Sequence, residues 1–192
     1  MARIRISGGK WRSRLVEVAE VGGLRPTPDR VRQTLFNWLG QDLTGLSCLD
    51  LFAGSGLLGF EAASRGAARV TLVERDAQAY AALRRAAEAL GDSQLQLRRA
   101  DALEFLASLR AVDRGNAAGS ASEQRPVGYD LIFLDPPYRQ GWLARVEPHL
   151  AAIANDDARL YVEAEQELQA LGDWRCVRHG KAGQVHYHLL ER

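Results

Sequence analysis

From about residue 46 onward, short apolar strands alternate with amphipathic helical stretches, and few folds tolerate that rhythm. The spacing predicts strands at Ser47–Phe52, Arg69–Glu74, Gln94–Arg99, Asp130–Leu134 and Ala158–Glu163. It predicts helices between them at Leu57–Arg65, Ala77–Leu90, Ala102–Leu109 and Trp142–Ala154. Repeated strand–helix–strand units close as crossovers over a parallel sheet with helices on both faces, so an α/β fold with a doubly wound, Rossmann-like sheet is expected. The end of the chain departs from the rhythm. Trp174–His179 and Gln184–Leu190 resemble two strands joined through Gly180-Lys181-Ala182-Gly183, a terminal hairpin on the parallel sheet. Residues 110–128 are poor in large apolar groups and rich in Gly, Ala and Ser, and read as a loop insert.

A length of 192 residues suits one domain with a small appendage. No run approaches the roughly 18 apolar residues that span a bilayer, and the basic start lacks the apolar stretch of a signal peptide. Two cysteines, Cys48 and Cys176, make neither a disulfide framework nor a Cys-only zinc site. A reduced, cytoplasmic, monomeric protein is expected.

The net charge of +1 hides an asymmetry. Residues 1–40 hold eight basic residues (Arg3, Arg5, Lys10, Arg12, Arg14, Arg25, Arg30, Arg32) against three acidic ones, an excess of five. The alternation across residues 3–18, broken at Gly8-Gly9, predicts a hairpin with an arginine face that leans on something larger. Thr27 as N-cap and Pro28 at the first position open a helix that runs to Gly40. Such an arm reads either as a solvated surface segment or as a contact for a polyanion.

The strongest local signal is Asp50-Leu-Phe-Ala-Gly54-Ser-Gly56-Leu-Leu-Gly59 at a strand-to-helix turn. Glycines let a ligand approach the backbone, and the helix start offers free N–H groups. Glu74, 20 residues past Gly54, closes the next strand, where an acid binds a ribose. As a bare pattern this fits NAD or S-adenosylmethionine. Asp50 would repel a pyrophosphate and suits a cationic ligand, which favours S-adenosylmethionine. Asp101 ends the third strand of the alternation, placed either to accept the adenine amino group or to cap the following helix. Phe52, Ala53, Ser55 and Ala102 complete the expected cofactor lining.

The second signal is Asp135-Pro136-Pro137-Tyr138 after the apolar run Leu131–Leu134. Two prolines hold an acid, a carbonyl and an aromatic ring in one rigid turn. The Asp135 carboxylate and Pro136 carbonyl can accept both N–H bonds of an exocyclic amine, and Tyr138 can stack on its ring. Asp135 also borders the cofactor. His186 and His188 share a strand face, but with no third ligand apparent they read as surface residues, and no metal is expected. Cys48 reads as core.

Together these motifs resemble the class I S-adenosylmethionine-dependent methyltransferases that modify exocyclic amines. Arg3-Ile-x-Ile-Ser-Gly-Gly-Lys-Trp-Arg12, Leu24-Arg-Pro-Thr-x-Asp-Arg-Val-Arg-x-Thr-Leu-Phe-Asn-Trp38, Leu49–Gly59, Tyr161-Val-Glu163 and Lys181-Ala-Gly-Gln-Val185 narrow the likeness. They resemble the bacterial 16S rRNA guanine-966 N2-methyltransferase family. That resemblance implies a seven-stranded sheet whose last strand is antiparallel. It also implies an RNA-binding extension at 1–40, a methyltransferase domain at 41–192, and 16S rRNA within an assembled or partly assembled small subunit as partner. The weaker alternatives are the same chemistry on another RNA base or on DNA adenine, an RNA-assembly protein with a vestigial cofactor fold, and an NAD-dependent oxidoreductase.

Overall fold

The computed structural model describes residues 2–18, 28–116 and 128–192. Five strands form the parallel body: β3 (Ser47–Asp50), β4 (Arg69–Glu74), β5 (Leu95–Arg99), β6 (Tyr129–Leu134) and β7 (Ala154–Ala164). The helices between them are α2 (Leu57–Ser64), α3 (Ala77–Leu90), α4 (Ala102–Asn116) and α5 (Trp142–Ile153). Three further strands, β8 (Ala170–Leu171), β9 (Trp174–Ala182) and β10 (Val185–Glu191), bring the sheet to eight, in the order β5-β4-β3-β6-β7-β10-β9-β8. The expected count of seven misses only the two-residue β8. The last strand, β10, runs antiparallel between β7 and β9.

Because successive strand residues face opposite sides, the apolar strands feed two cores. Cys48, Leu131, Phe133 and Tyr161 face α1 (Asp29–Leu39), α2 and α3. Leu49, Ile132, Leu134 and Leu160 face α4 and α5. Cys48 is fully buried, as a core residue should be.

Several boundaries differ from the sequence reading. Helix α4 continues through Asn116, so the insert begins as helix, and residues 117–127 lie outside the described residues. The β9–β10 turn is Gly183-Gln184, not the stretch from Gly180. Gly180 is a strand residue, and a Cβ there would lie 2.3 Å from Cζ of Tyr187, so close packing explains this glycine better than a turn does.

The N-terminal hairpin pairs β1 (Ala2–Arg5) with β2 (Leu15–Val18) and leans on the larger core through Ile6, Trp11, Val16 and Val18. A 3-10 turn at Gly9–Trp11 lengthens the connection, so Arg12 and Arg14 lie in it and not on a strand. Helix α1 begins at Asp29 with Pro28 at its N-cap, one residue later than expected, while Thr27 falls outside the described residues.

The hairpin is fixed to α2 by buried charge. Glu61 on α2 accepts from Arg32 Nη1 at 2.6 Å, from the Ser7 backbone N–H at 2.6 Å, and from Arg65 Nη1. Gly9 adopts φ +71°, and a Cβ there would collide with the Ser64 carbonyl oxygen at 1.9 Å. Removing one partner of a buried pair leaves the others uncompensated. Glu61→Gln is therefore expected to cost about 3–5 kcal/mol of stability, read as a lower urea midpoint with an unchanged slope. A loss below about 1 kcal/mol, the range of exposed pairs, would refute this role for the network.

Candidate active site

The glycine loop follows β3 and is held from both sides. Ala53 N–H donates to the Val73 carbonyl at 2.9 Å, and Gly54 N–H donates to Glu74 Oε2 at 2.8 Å. Gly54 and Gly56 have φ of +50° and +75°, a region that favours glycine. A Cβ on Gly56 would lie 2.2 Å from Leu83 Cδ1, and one on Gly59 2.7 Å from Leu72 Cδ2. The last two glycines therefore serve the packing of α2 against α3 and β4, while Ser55, between Gly54 and Gly56, is half-buried.

Asp50 ends β3, buried, with Oδ2 accepting from the Gly59 N–H at 3.2 Å. Burial lifts its carboxyl to about 7; backbone hydrogen bonds from Gly59 and Phe52 oppose the rise, and the Glu74 and Glu163 carboxylates add to it. Glu74 closes β4 with Oε2 on Gly54 N–H and Oε1 on Asp76 N–H at 2.6 Å, so the backbone fixes its direction. Asp101 Oδ1 accepts from Leu103 N–H at 2.9 Å, making it the cap of α4, while Oδ2 is 4.0 Å from Arg75. Ala102 begins that helix. Phe52 packs edge-on against Trp142 at 5.4 Å, and Arg145 lies over the Trp142 ring at 4.0 Å.

The Asp135–Tyr138 turn leaves β6 at the same sheet edge. Pro136 is buried, Asp135 half-buried, and Tyr138 is 40% exposed, so its ring is available for stacking. Burial, followed by the neighbouring Glu163 and Asp50 charges, holds the Asp135 carboxyl well above the usual carboxylate range. Burial and the adjacent carboxylates likewise push the Tyr138 phenol up. Arg139, at φ +60°, donates its backbone N–H to Glu165 and pins the far side of the turn.

Glu163 was not among the expected site residues. Strand register aligns Asp50 with Phe133, Phe133 with Tyr161, and Leu134 with Val162, so the next position sets Asp135 beside Glu163. Glu163 is 3% exposed, and the Tyr161 hydroxyl donates to its Oε1 at 2.8 Å. The signal was present: an acid closing an apolar strand, as Asp50, Glu74 and Asp135 do at the ends of theirs.

The basic arm disperses. Arg32, expected on the phosphate-facing patch, is fully buried against Glu61, because α1 packs that face into the core. Arg3 pairs with Glu17, Lys10 with Asp92, Arg5 donates to the Ser13 carbonyl, and Arg14 to that of Ala89. Arg12 and Arg30 are exposed, and Arg25 lies outside the described residues.

His188 is not on the surface. It is fully buried, Nε2 accepting from Leu168 N–H at 3.0 Å and Nδ1 donating to the Val162 carbonyl at 3.2 Å. His179 joins it and His186 in a stack, and one nitrogen from each of the three lies within 4.8 Å of the others. Parallel rings do not converge their lone pairs, and both His188 nitrogens are engaged by the backbone, so the geometry does not suit a metal ion.

Residues 4–191 match the family described as Conserved hypothetical protein 95. The chain is 39% identical over 195 residues to the protein named Ribosomal RNA small subunit methyltransferase D of Escherichia coli strain K12, covering 99% of this chain and 90% of that one. It is 35% identical to the protein of the same name from Haemophilus influenzae, covering 98% and 93%. A solved structure described as a putative methyltransferase from Escherichia coli superposes with a TM-score of 0.81 at 38% identity, over 100% of this chain and 98% of that one. With fold, motifs and full-length similarity in agreement, the chain belongs to the Conserved hypothetical protein 95 family.

Proposed function

We propose that this protein methylates the exocyclic N2 amine of guanine 966 in 16S rRNA of the small ribosomal subunit. It is an S-adenosylmethionine-dependent rRNA methyltransferase, a reading supported by its family and by the names of its full-length relatives. The observation that carries the reading is the placement of the Asp135–Tyr138 turn beside Asp50 and the glycine loop at one sheet edge. Ligands of open α/β sheets bind outside the carboxyl ends of the strands.

The residues fit the cofactor. An acidic, partly enclosed edge suits a ligand with a sulfonium and an ammonium, Glu74 suits its ribose hydroxyls, and Asp101 suits its adenine amine. When bound, S-adenosylmethionine supplies a methyl group on a sulfonium, open to in-line displacement. The chain positions the nucleophile. Asp135 and the Pro136 carbonyl accept the two N–H bonds of the target amine and favour the charge that develops on nitrogen. Tyr138 stacks on the base and holds its plane. Asp135, with its carboxyl raised by burial and its neighbours, is suited to take the proton the amine sheds. Positioning and electrostatics supply the acceleration.

Residues 1–40 act in this reading as the RNA-binding extension and residues 41–192 as the methyltransferase domain, in a monomeric cytoplasmic enzyme acting on an assembled or partly assembled subunit. No described helix is long and apolar enough to cross a membrane. Nucleoside mass spectrometry of ribosomal RNA from a strain lacking the protein tests the function. Loss of one N2-methylguanosine supports it, and an unchanged profile overturns it.

The arm makes a separate prediction. Each phosphate contact released with counterions contributes about −0.7 to −0.9 to the log–log salt slope. Replacing the exposed Arg12 and Arg30 together with Ala is expected to weaken binding to the small-subunit particle and to flatten that slope by about one to two units. An unchanged slope in a salt series of methylation assays would remove these two arginines from the RNA interface.

A further inference from the structure

An Asp-Pro-Pro-Tyr turn reads an amine, and adenine, cytosine and guanine all carry one. The turn alone does not choose among them. The bases differ in the ring nitrogen beside the amine. Guanine presents a donor there, N1–H next to N2–H2, whereas adenine N1 and cytosine N3 are acceptors. A site for guanine therefore needs a second acceptor flanking the one that holds the amine.

The structure contains such an acceptor. Asp135 and Glu163 follow the paired residues Leu134 and Val162 on neighbouring parallel strands, whose axes lie about 4.8 Å apart. Strand alternation points both to the same face of the sheet, the side of Phe133 and Tyr161. The Glu163 carboxylate does not swing freely: the Tyr161 hydroxyl holds Oε1 at 2.8 Å. Tyr161 itself is fully buried and packs edge-on against Phe133 at 6.3 Å. Ionised carboxylates accept and do not donate. The Glu163 charge is among the causes that raise the Asp135 carboxyl, and a donor-rich edge between the two acids offsets it.

We propose that Glu163 is the residue that selects guanine, accepting N1–H while Asp135 and the Pro136 carbonyl accept the N2 amine. Tyr161 is its positioning residue. The inference rests on the guanine reading above and assigns its specificity. An adenine or cytosine placed in the same turn sets a ring lone pair against the Glu163 carboxylate, which is repulsive. Sites that read a donor in this way reject the analogue lacking it by large factors, on the order of 10⁴ in the best cases.

The test uses small-subunit particles carrying either guanine or 2-aminopurine at the target position. 2-Aminopurine keeps the 2-amine but has a lone pair at N1. Wild-type protein is expected to prefer guanine in kcat/KM by about 10²-fold or more. Glu163→Gln, whose amide can donate to that lone pair, is expected to shrink the preference at least about tenfold, with part of the change a gain on 2-aminopurine. A merely structural role would lower both activities together and leave the ratio alone. If Glu163→Gln does not fold, Glu163→Asp withdraws the acceptor by one methylene and is expected to narrow the same ratio. An unchanged ratio in a folded variant overturns the role of Glu163 and leaves the guanine assignment standing. Failure of wild-type protein to methylate the guanine particle defeats both.

Discussion

Asp135→Ala is expected to reduce methyl transfer to the small-subunit particle by about 10²- to 10⁴-fold, the range lost when a positioned proton acceptor or charge stabiliser is removed. Affinity for S-adenosylmethionine should change little by comparison, because Asp50, Glu74 and the loop backbone stay in place. The variant should also fold, since Asp135 borders the edge of the sheet and its removal relieves repulsion from Glu163 and Asp50. Single-turnover rates at saturating cofactor, beside calorimetric titration of the cofactor, separate the two effects. If the cofactor affinity collapses while the saturated rate is preserved, Asp135 belongs to the cofactor site and not to the amine.

The second large effect concerns Asp50. A cationic ligand needs this carboxylate ionised, yet burial sets its ionisation near 7. Affinity for S-adenosylmethionine should therefore rise between pH 6 and pH 8 and then level off, and binding near neutral pH should release a proton. Asp50→Asn should weaken binding by about tenfold or more, taking one lost charge-assisted contact at about 1.5–3 kcal/mol, and should remove the pH dependence assigned to this group. The sign for stability is opposite. A carboxyl raised above its unfolded value, near 3.9, favours the native state below that value, and the contribution is lost as pH rises through about 7. The ligand-free protein should thus lose Asp50's contribution progressively between about pH 4 and pH 7, before the range in which the ligand binds best. Calorimetry in buffers of different ionisation heat reads the proton directly. Absence of proton release at pH 7 would show that Asp50 is already ionised in the free protein.

Much of the architecture was legible because the signals were local. Arg69–Glu74 and Ala77–Leu90 follow the apolar period to the residue, since both elements end at a charged group or a glycine that the pattern itself exposes. The glycine loop and the proline turn were legible for the same reason: their backbone constraints are written in consecutive residues. What escaped depends on partners far along the chain. Arg32 looked like one more surface cation, and Glu61, 29 residues away, holds it in the core. His188 looked exposed because its burial depends on Leu168 and Val162 from two other segments. Gly180 imitated a turn because the aromatic ring it accommodates, Tyr187, belongs to the next strand. Glu163 needed the pairing of β6 with β7, which strand periodicity alone does not specify.

Helix α2 has only eight residues, with the glycine loop at one end and the Glu61–Arg65 contacts with the arm near the other. At 1.5 Å per residue, Glu61 lies about 7 Å and Arg65 about 14 Å along the helix from Gly56, so a short rigid strut joins the loop to these contacts. The N-terminal arm is consequently no detachable module. Cutting it away would take Arg32 and the Ser7 N–H from the buried Glu61 carboxylate, leaving it Arg65, and would bare Phe133, which packs against Phe36. The exposed positions of the arm, Arg12 and Arg30 among them, can change without disturbing this buried contact, while the inward face remains bound to the requirements of the fold.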